Sequence, residues 1–417
     1  MKINSELVQF DTKIRKQVLL ACLTFCLTLQ GIQFIRAISG SAKKDWGYSE
    51  FLVNYSSGFI RRGLPGSILW WIDSAFGISP YIFLTIVLAS VILSITLLFF
   101  YLAYFSNISI LRLIVLSFHP LLLNSPFLSV IMFRKDWFII FGLIFHAFMV
   151  RLILINRIKN KFYSKFLIIF ILYNLVVIFS HEINILFIFV HLFLIGKIVK
   201  NLNHTDTRLI KKLAALLLVS QILSFLLVSF YHGTPSQVLE IIEKMPPSFN
   251  LSNTSAILAI GNLPSNQWRD VSSVMFMNFF SILFFAFWFL LGPVLIHRML
   301  KNLYENRSLA SLGLGELSLA PLLTLFLLGN DWGRWIVLIS FSIFTIKIND
   351  NRLIKSSKST QWTTYKYYSQ IFNFKLWSLI FLVGFLFSLV RIPIYAPESI
   401  NDIWSGVAEF FWAWFSG

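Results

Sequence analysis

The sequence predicts an all-α fold, a polytopic bundle of about eleven transmembrane helices, and three observations carry that expectation. Apolar residues make up 57% of the 417 and charged residues 13%, with mean hydropathy +0.76, a balance that a water-exposed surface does not tolerate. Tracts such as Tyr81 to Tyr104 and Met275 to Ile296 are long enough to cross a hydrocarbon core of ~30 Å as helices, whereas a β-barrel would show shorter alternating strands. The excess of 35 Lys and Arg over 18 Asp and Glu is concentrated in alternate segments between the tracts. That asymmetry is the positive-inside bias, which sets the N-terminus inside and the C-terminus outside. It also accounts for a net charge of +17 with no nucleic-acid partner.

In chain order the spans fall near 17–36, 80–104, 109–123, 137–154, 166–180, 183–196, 213–231, 273–296, 310–329, 335–347 and 376–391. The first follows Glu6, Asp11, Lys13, Arg15 and Lys16 and runs longer than a secretory signal core, so it reads as an uncleaved signal anchor. Cys22 and Cys26, one turn apart within it, read as small packing residues. The first outer segment, 37–79, contains the breaker Gly63-Leu64-Pro65-Gly66. The stretch Ser67 to Phe76 follows, and its Trp70 and Trp71 suit a short helix lying at headgroup depth. The turns around Ser180 and Asn124 to Lys135 fit either full crossings or re-entrant pairs. The outer segment 232–271 is rich in turn residues, including Pro246-Pro247 and Gly261-Asn262, and suits a lid, an acceptor-binding loop or a plain connection. The tail 392–417, with Trp404, Trp412 and Trp414, reads as an aromatic, lipid-facing outer segment. With no soluble domain and no internal repeat, residues 1–417 form a single membrane domain.

In this topology five polar clusters reach one face of the membrane: Asp45 to Glu50, Ser57 to Gly63, Arg134 to Asp136, His181-Glu182 and Asp331 to Trp335. Asp45 follows the first span closely enough to hold a carboxylate near the membrane plane, where it can act as a general base toward a hydroxyl, and Asp136 and Glu50 are further catalytic candidates. Arg61, Arg62, Arg134, Lys135 and Arg334 lie outside, against the charge bias, and suit a phosphate ligand. Trp46, Tyr48, Asn54, His181, Glu182, Asp331, Trp332 and Trp335 supply ring faces and hydrogen-bonding groups for a sugar. Each cluster alone has a plain alternative: an exposed loop acid, snorkelling arginines, a salt-bridged turn, or a structural His-Glu pair. Their convergence is what favours a site. The run HEINI at His181 lacks the second histidine of a zincin, and His146 and His191, deep in their spans, read as packing residues. With no Walker A, dinucleotide turn, CxxC or G-x-S-x-G pattern, cytoplasmic nucleotide chemistry is unsupported.

An acid just beyond the first span (Asp45), an interfacial helix in the first outer segment (Ser67 to Phe76) and a second acid in the next outer loop (Asp136) resemble the GT-C-type polytopic glycosyltransferases that use polyprenyl-phosphate sugars. The chain looks most like bacterial enzymes that decorate O-antigen or other surface polysaccharide, including serotype-converting glucosyltransferases. It lacks the large C-terminal soluble domain of some members. The resemblance implies an inner-membrane enzyme with its site facing the periplasm and with no cofactor or metal. A polyprenyl-phosphate-linked sugar would be the donor and a lipid-linked polysaccharide the acceptor. A flippase and a polyprenyl-phosphate sugar synthase would supply the donor. Two alternatives stand beside it: an O-antigen or capsule polymerase, and a transporter of lipid-linked sugars, which should carry polar groups near mid-membrane.

Overall fold

The computed structural model describes residues 2–38, 46–106, 108, 110–119, 122–123, 133–200, 204–249, 255–261, 286–287, 289–300, 314–325 and 332–349. They are helical, with no strand among them. The long helices are α1 (Lys2–Ile38), α4 (Pro80–Tyr104), α6 (Asp136–Leu154), α7 (Asn160–Ser180), α8 (Ile188–Val199, entered through a 3-10 turn Glu182–Phe187) and α9 (His204–Phe230). Between them lie α2 (Trp46–Phe51), α3 (Gly63–Phe76) and α5 (Ile110–Phe118). After α9 come α10 (Pro235–Glu243), α11 (Ser255–Leu258), α12 (Leu295–Leu300), α13 (Leu314–Leu317) and α14 (Trp332–Ile348).

Five helical stretches are long and apolar enough to cross a membrane: Pro80–Tyr104, Asp136–Leu154, Lys161–Ser180, Glu182–Val199 and Thr207–Phe230. Each coincides with an expected span, and the predicted first span lies inside the 37-residue α1. Other expected spans differ. Among the described residues of 109–123 the regular helix is the nine residues of α5, ~14 Å of rise and half a bilayer core. Over 310–329 the chain breaks into α13 and a 3-10 turn at Ala320–Thr324, where Pro321 has no N–H to extend a helix. A π-helical stretch at Leu290–Val294 contains Pro293 for the same reason. The expected span 376–391 and the aromatic tail lie outside the described residues.

Side-chain contacts show how the helices are threaded. Tyr81 at the start of α4 donates to the Ala37 carbonyl at the end of α1, while Arg15 near the start of α1 donates to Ala103 and Ser106 at the end of α4. The two helices are therefore antiparallel. Asp136 opening α6 meets His181, just after α7, and Arg334, opening α14. The Arg61 N–H meets the Tyr231 carbonyl, just past α9. One end of the bundle thus gathers the starts of α4, α6, α8 and α14 and the finishes of α1, α7 and α9. At the opposite end Arg151 donates to the Phe105 carbonyl, to Ser106 and to Ile348, and Lys197 donates to Ile346. These cations satisfy the last-turn carbonyls of α4 and α14, which have no intrahelical donor and carry the negative end of the helix dipole.

The stretch expected as a short helix is the helical α3. Gly63, Gly66, Leu69 and Ile72 are buried on one face, while Ile68 and Trp71 on another face are exposed. Gly77 closes the helix in the left-handed conformation and donates its N–H to the Asp73 carbonyl. The segment after α9 is folded rather than loose. Thr234 and Gln237 form a reciprocal capping box at the start of α10, with Pro235 in its first turn. Val238, Ile241, Ile257 and Ile260 of this segment are buried.

Candidate functional site

Two close backbone approaches build the site. A side chain at Gly47 would meet the Phe133 carbonyl at 2.0 Å, so α2 rests directly on the chain that leads into Arg134. A side chain at Gly66 would meet the Val53 carbonyl at 2.1 Å, which brings the start of α3 against the segment after α2. Tyr48 locks α2 in place with edge contacts to Tyr81 and Phe133 and a 3.1 Å bond to the Phe249 carbonyl. Glu50 consequently faces Arg62, Arg134 and Lys135. Arg62 itself sits at φ 63°, ψ 9°, a left-handed backbone that a non-glycine residue adopts at a cost of ~1–2 kcal/mol. The ion pairs it makes offset that strain.

Arg62 bridges two acids. Its Nη1 donates to Glu50 Oε1 at 2.8 Å, while Nε and Nη2 donate to Glu182 at 2.8 and 2.6 Å. Arg61 Nη1 lies 3.8 Å from Glu182, and its Nη2 donates to the Ile260 carbonyl at 3.2 Å. Arg334 forks onto Asp136, Nε to Oδ2 at 2.8 Å and Nη2 to Oδ1 at 3.1 Å. His181, in extended backbone between α7 and the 3-10 turn, places Nε2 3.2 Å from Asp136 Oδ1 and Nδ1 3.9 Å from Glu182 Oε2. Residues up to 198 positions apart in sequence thus close one network.

Arg134 and Lys135 stand apart within this network. Each is 1% exposed, yet Arg134 Nε and Nη2 and Lys135 Nζ have no hydrogen-bond partner among the described residues. Arg134 Nη1 comes only to 3.8 Å from Glu50, and the Lys135 ammonium lies 5.5 Å over the Phe51 ring. Burial pushes the Lys135 ammonium from its ordinary 10.5 down to about 8, with Glu50 opposing the fall and Arg62 adding to it. Burial would likewise raise the Glu50 carboxyl, but Arg62, then Lys135, outweigh it and hold Glu50 at about 2. Buried donors without acceptors cost ~1–3 kcal/mol each and more when charged, so this arrangement suits an anion supplied from outside the chain.

No family model, characterised protein or solved structure matches this chain. The site therefore has to be read from its own residues.

Of the residues expected from sequence, Glu50, Arg61, Arg62, Arg134, Lys135, Asp136, His181, Glu182 and Arg334 come together. Asp45 and Asp331 lie outside the described residues, as do the side chains of Trp46 and Trp332. Several expected roles change on structural grounds. Tyr48, 1% exposed and bonded to Phe249, is a packing residue rather than a sugar contact. Asn54 is fully buried and braces its own turn by accepting from the Ser56 N–H at 2.9 Å. Trp335 is 5% exposed with the Arg334 guanidinium 5.1 Å over its ring, which leaves no face for a sugar. Asp136 accepts two bonds from Arg334 and one from His181, which makes it an orienting acid and a poor base. Arg62 and Arg334 are likewise committed to acids, and Arg61 to the Ile260 carbonyl and the vicinity of Glu182, leaving Arg134 and Lys135 as the phosphate candidates.

Sequence reasoning gave no role to Gly47 or Phe51, because their use depends on which chain lies opposite. It also read His146 and His191 as separate packing residues. They are a pair, Nδ1 to Nδ1 at 3.1 Å, with Tyr163 at 2.8 Å from His146 Nε2. Two apolar spans with one histidine each carried a signal, since a polar ring inside a membrane helix needs a partner.

Proposed function

We propose that this protein is a glycosyltransferase of a bacterial inner membrane. It moves a sugar, glucose in the first instance, from a polyprenyl-phosphate donor to a lipid-linked surface polysaccharide at the periplasmic face. The observation that carries this reading is the buried Arg134 and Lys135, whose Nε, Nη2 and Nζ have no hydrogen-bond partner among the described residues, beside three carboxylates at the ends of apolar helices. A lipid-borne phosphate would bring its anionic oxygens to that depth without leaving the bilayer. Arg134 and Lys135 would hold the phosphate while the bond to the anomeric carbon breaks and would stabilise the charge that develops on it. The ends that carry Arg157, Lys159, Lys161, Lys200 and Arg208 would then face the cytoplasm.

The test is transfer of labelled glucose from polyprenyl-phosphate glucose to a lipid-linked O-antigen acceptor in membranes. The expected result is a new glycosidic bond made by the wild type and lost in Arg134→Gln at equal membrane content. No new bond with any donor or acceptor of this class overturns the reading.

One observation favours the transport alternative: polar groups do lie inside the helices. Besides His146, His191 and Tyr163, Asn184 donates to Asn174 at 3.1 Å and to Gln221 at 3.3 Å. These groups bond to one another, which a purely structural role also explains, with Gln221 Nε2 alone among them lacking a partner among the described residues. A transporter would move the lipid-linked sugar across vesicles and form no glycosidic bond, so the same assay separates the two.

A further inference from the structure

Transfer to a hydroxyl needs a group that takes its proton, and we infer that this group is the Nδ1 nitrogen of His181. The inference rests on the transfer reading above. It starts from the state of the three carboxylates. Glu50 accepts from Arg62 at 2.8 Å, Glu182 accepts twice from Arg62 at 2.8 and 2.6 Å, and Asp136 accepts twice from Arg334 at 2.8 and 3.1 Å. Lone pairs aimed at guanidinium groups are poor proton acceptors. His181 is different.

Its Nε2 has two neighbours, Asp136 Oδ1 at 3.2 Å and Arg334 Nη2 at 3.4 Å. Arginine only donates, so the Arg334 contact would require a bare Nε2, whereas the carboxylate requires Nε2–H. The carboxylate is both nearer and the stronger acceptor, so the proton belongs on Nε2 and the lone pair on Nδ1. Nδ1 is buried with no hydrogen-bond partner among the described residues. Glu182 Oε2 stands 3.9 Å from it, too far to bond. The result is a nitrogen base oriented by one carboxylate, Asp136, which is in turn held by Arg334.

The step balances. The acceptor oxygen bonds to the anomeric carbon as its proton passes to Nδ1. The bond from that carbon to the phosphate oxygen breaks, with the electron pair leaving on the lipid phosphate beside Arg134 and Lys135. The imidazolium, flanked by Asp136 and Glu182, later releases the proton to water. The charged groups around it are Asp136 from α6, Arg334 from α14, the adjacent Glu182, Arg62 at the head of α3, and Glu50 of α2.

His181→Gln tests the inference, because its amide N–H can still donate to Asp136 while no basic nitrogen remains. With full-length protein in membranes, kcat should fall ~10²–10⁴-fold with the donor KM unchanged, and the decline of wild-type rate at low pH should disappear. Asp45→Asn, measured beside it, should keep that acid limb. Transfer by His181→Gln at wild-type kcat, or an acid limb that vanishes in Asp45→Asn and persists in His181→Gln, overturns His181 as the base and leaves the transferase reading intact. Absence of any transfer by the wild type overturns both.

Discussion

Arg334→Gln probes the centre of the network most directly. Arg334 and Asp136 are each 7% exposed at the side chain, and two bonds of 2.8 and 3.1 Å join them. Bonds between charged groups contribute ~1.5–3 kcal/mol each, and removing one member of a buried pair costs ~3–5 kcal/mol because the other charge stays desolvated. Arg334→Gln should therefore destabilise by ~3–5 kcal/mol. Adding Asp136→Asn removes the stranded charge while its amide oxygen can still accept from His181, so the double variant should recover ~2 kcal/mol or more relative to Arg334→Gln alone. Reversible unfolding by SDS titration in mixed micelles measures all four corners of the cycle. If the double variant is as unstable as the sum of the singles, the pair is not coupled, and the claim that Arg334 and Asp136 together orient His181 fails.

Other consequences can be checked in the same preparations. Lys135→Met should leave the unliganded protein as stable or more stable, since it removes a buried cation without a partner, yet abolish thermal stabilisation by farnesyl phosphate. In the wild type, binding of that anion should weaken as pH rises through about 8, where Lys135 loses its proton. Unliganded stability should increase over the window from about 8 to 10.5, because there the unfolded chain binds the proton and the folded one does not. Gly47→Ala should displace α2 from Phe133 and remove transfer activity, read by the assay above, since the added carbon would sit 2.0 Å from a backbone oxygen that has nowhere to move. Tyr163→Phe should cost ~1–3 kcal/mol in SDS titration by stripping the buried His146 Nε2 of its partner, with little effect on transfer.

Much of the site could be read from the chain because membrane topology constrains position so strongly. Once apolar tracts alternate across a bilayer, the polar residues between Ile60 and Gly63, between Phe133 and Trp137, and at His181-Glu182 fall at one end. Contacts at both ends of the described bundle follow that alternation. What escaped notice was pairing. Arg62 and Arg134 look equivalent in sequence, each a guanidinium between apolar tracts, but among the described residues Arg62 meets two acids at hydrogen-bond distance and Arg134 meets none. Tyr48 and Trp335 look like sugar-binding aromatics, but burial gives them to the core.

Sequence alone determined which tracts are apolar enough to cross a membrane and which charges gather at a common end of them. Each of these follows from hydropathy and charge summed over a short stretch of neighbours. Only the tertiary structure decided where the described parts of the tracts at 109–123 and 310–329 depart from one continuous helix, which acids neutralise which arginines, and which histidine nitrogen has no partner among the described residues. Those outcomes depend on ångström-scale distances between side chains as much as 198 residues apart, and no local sum contains them.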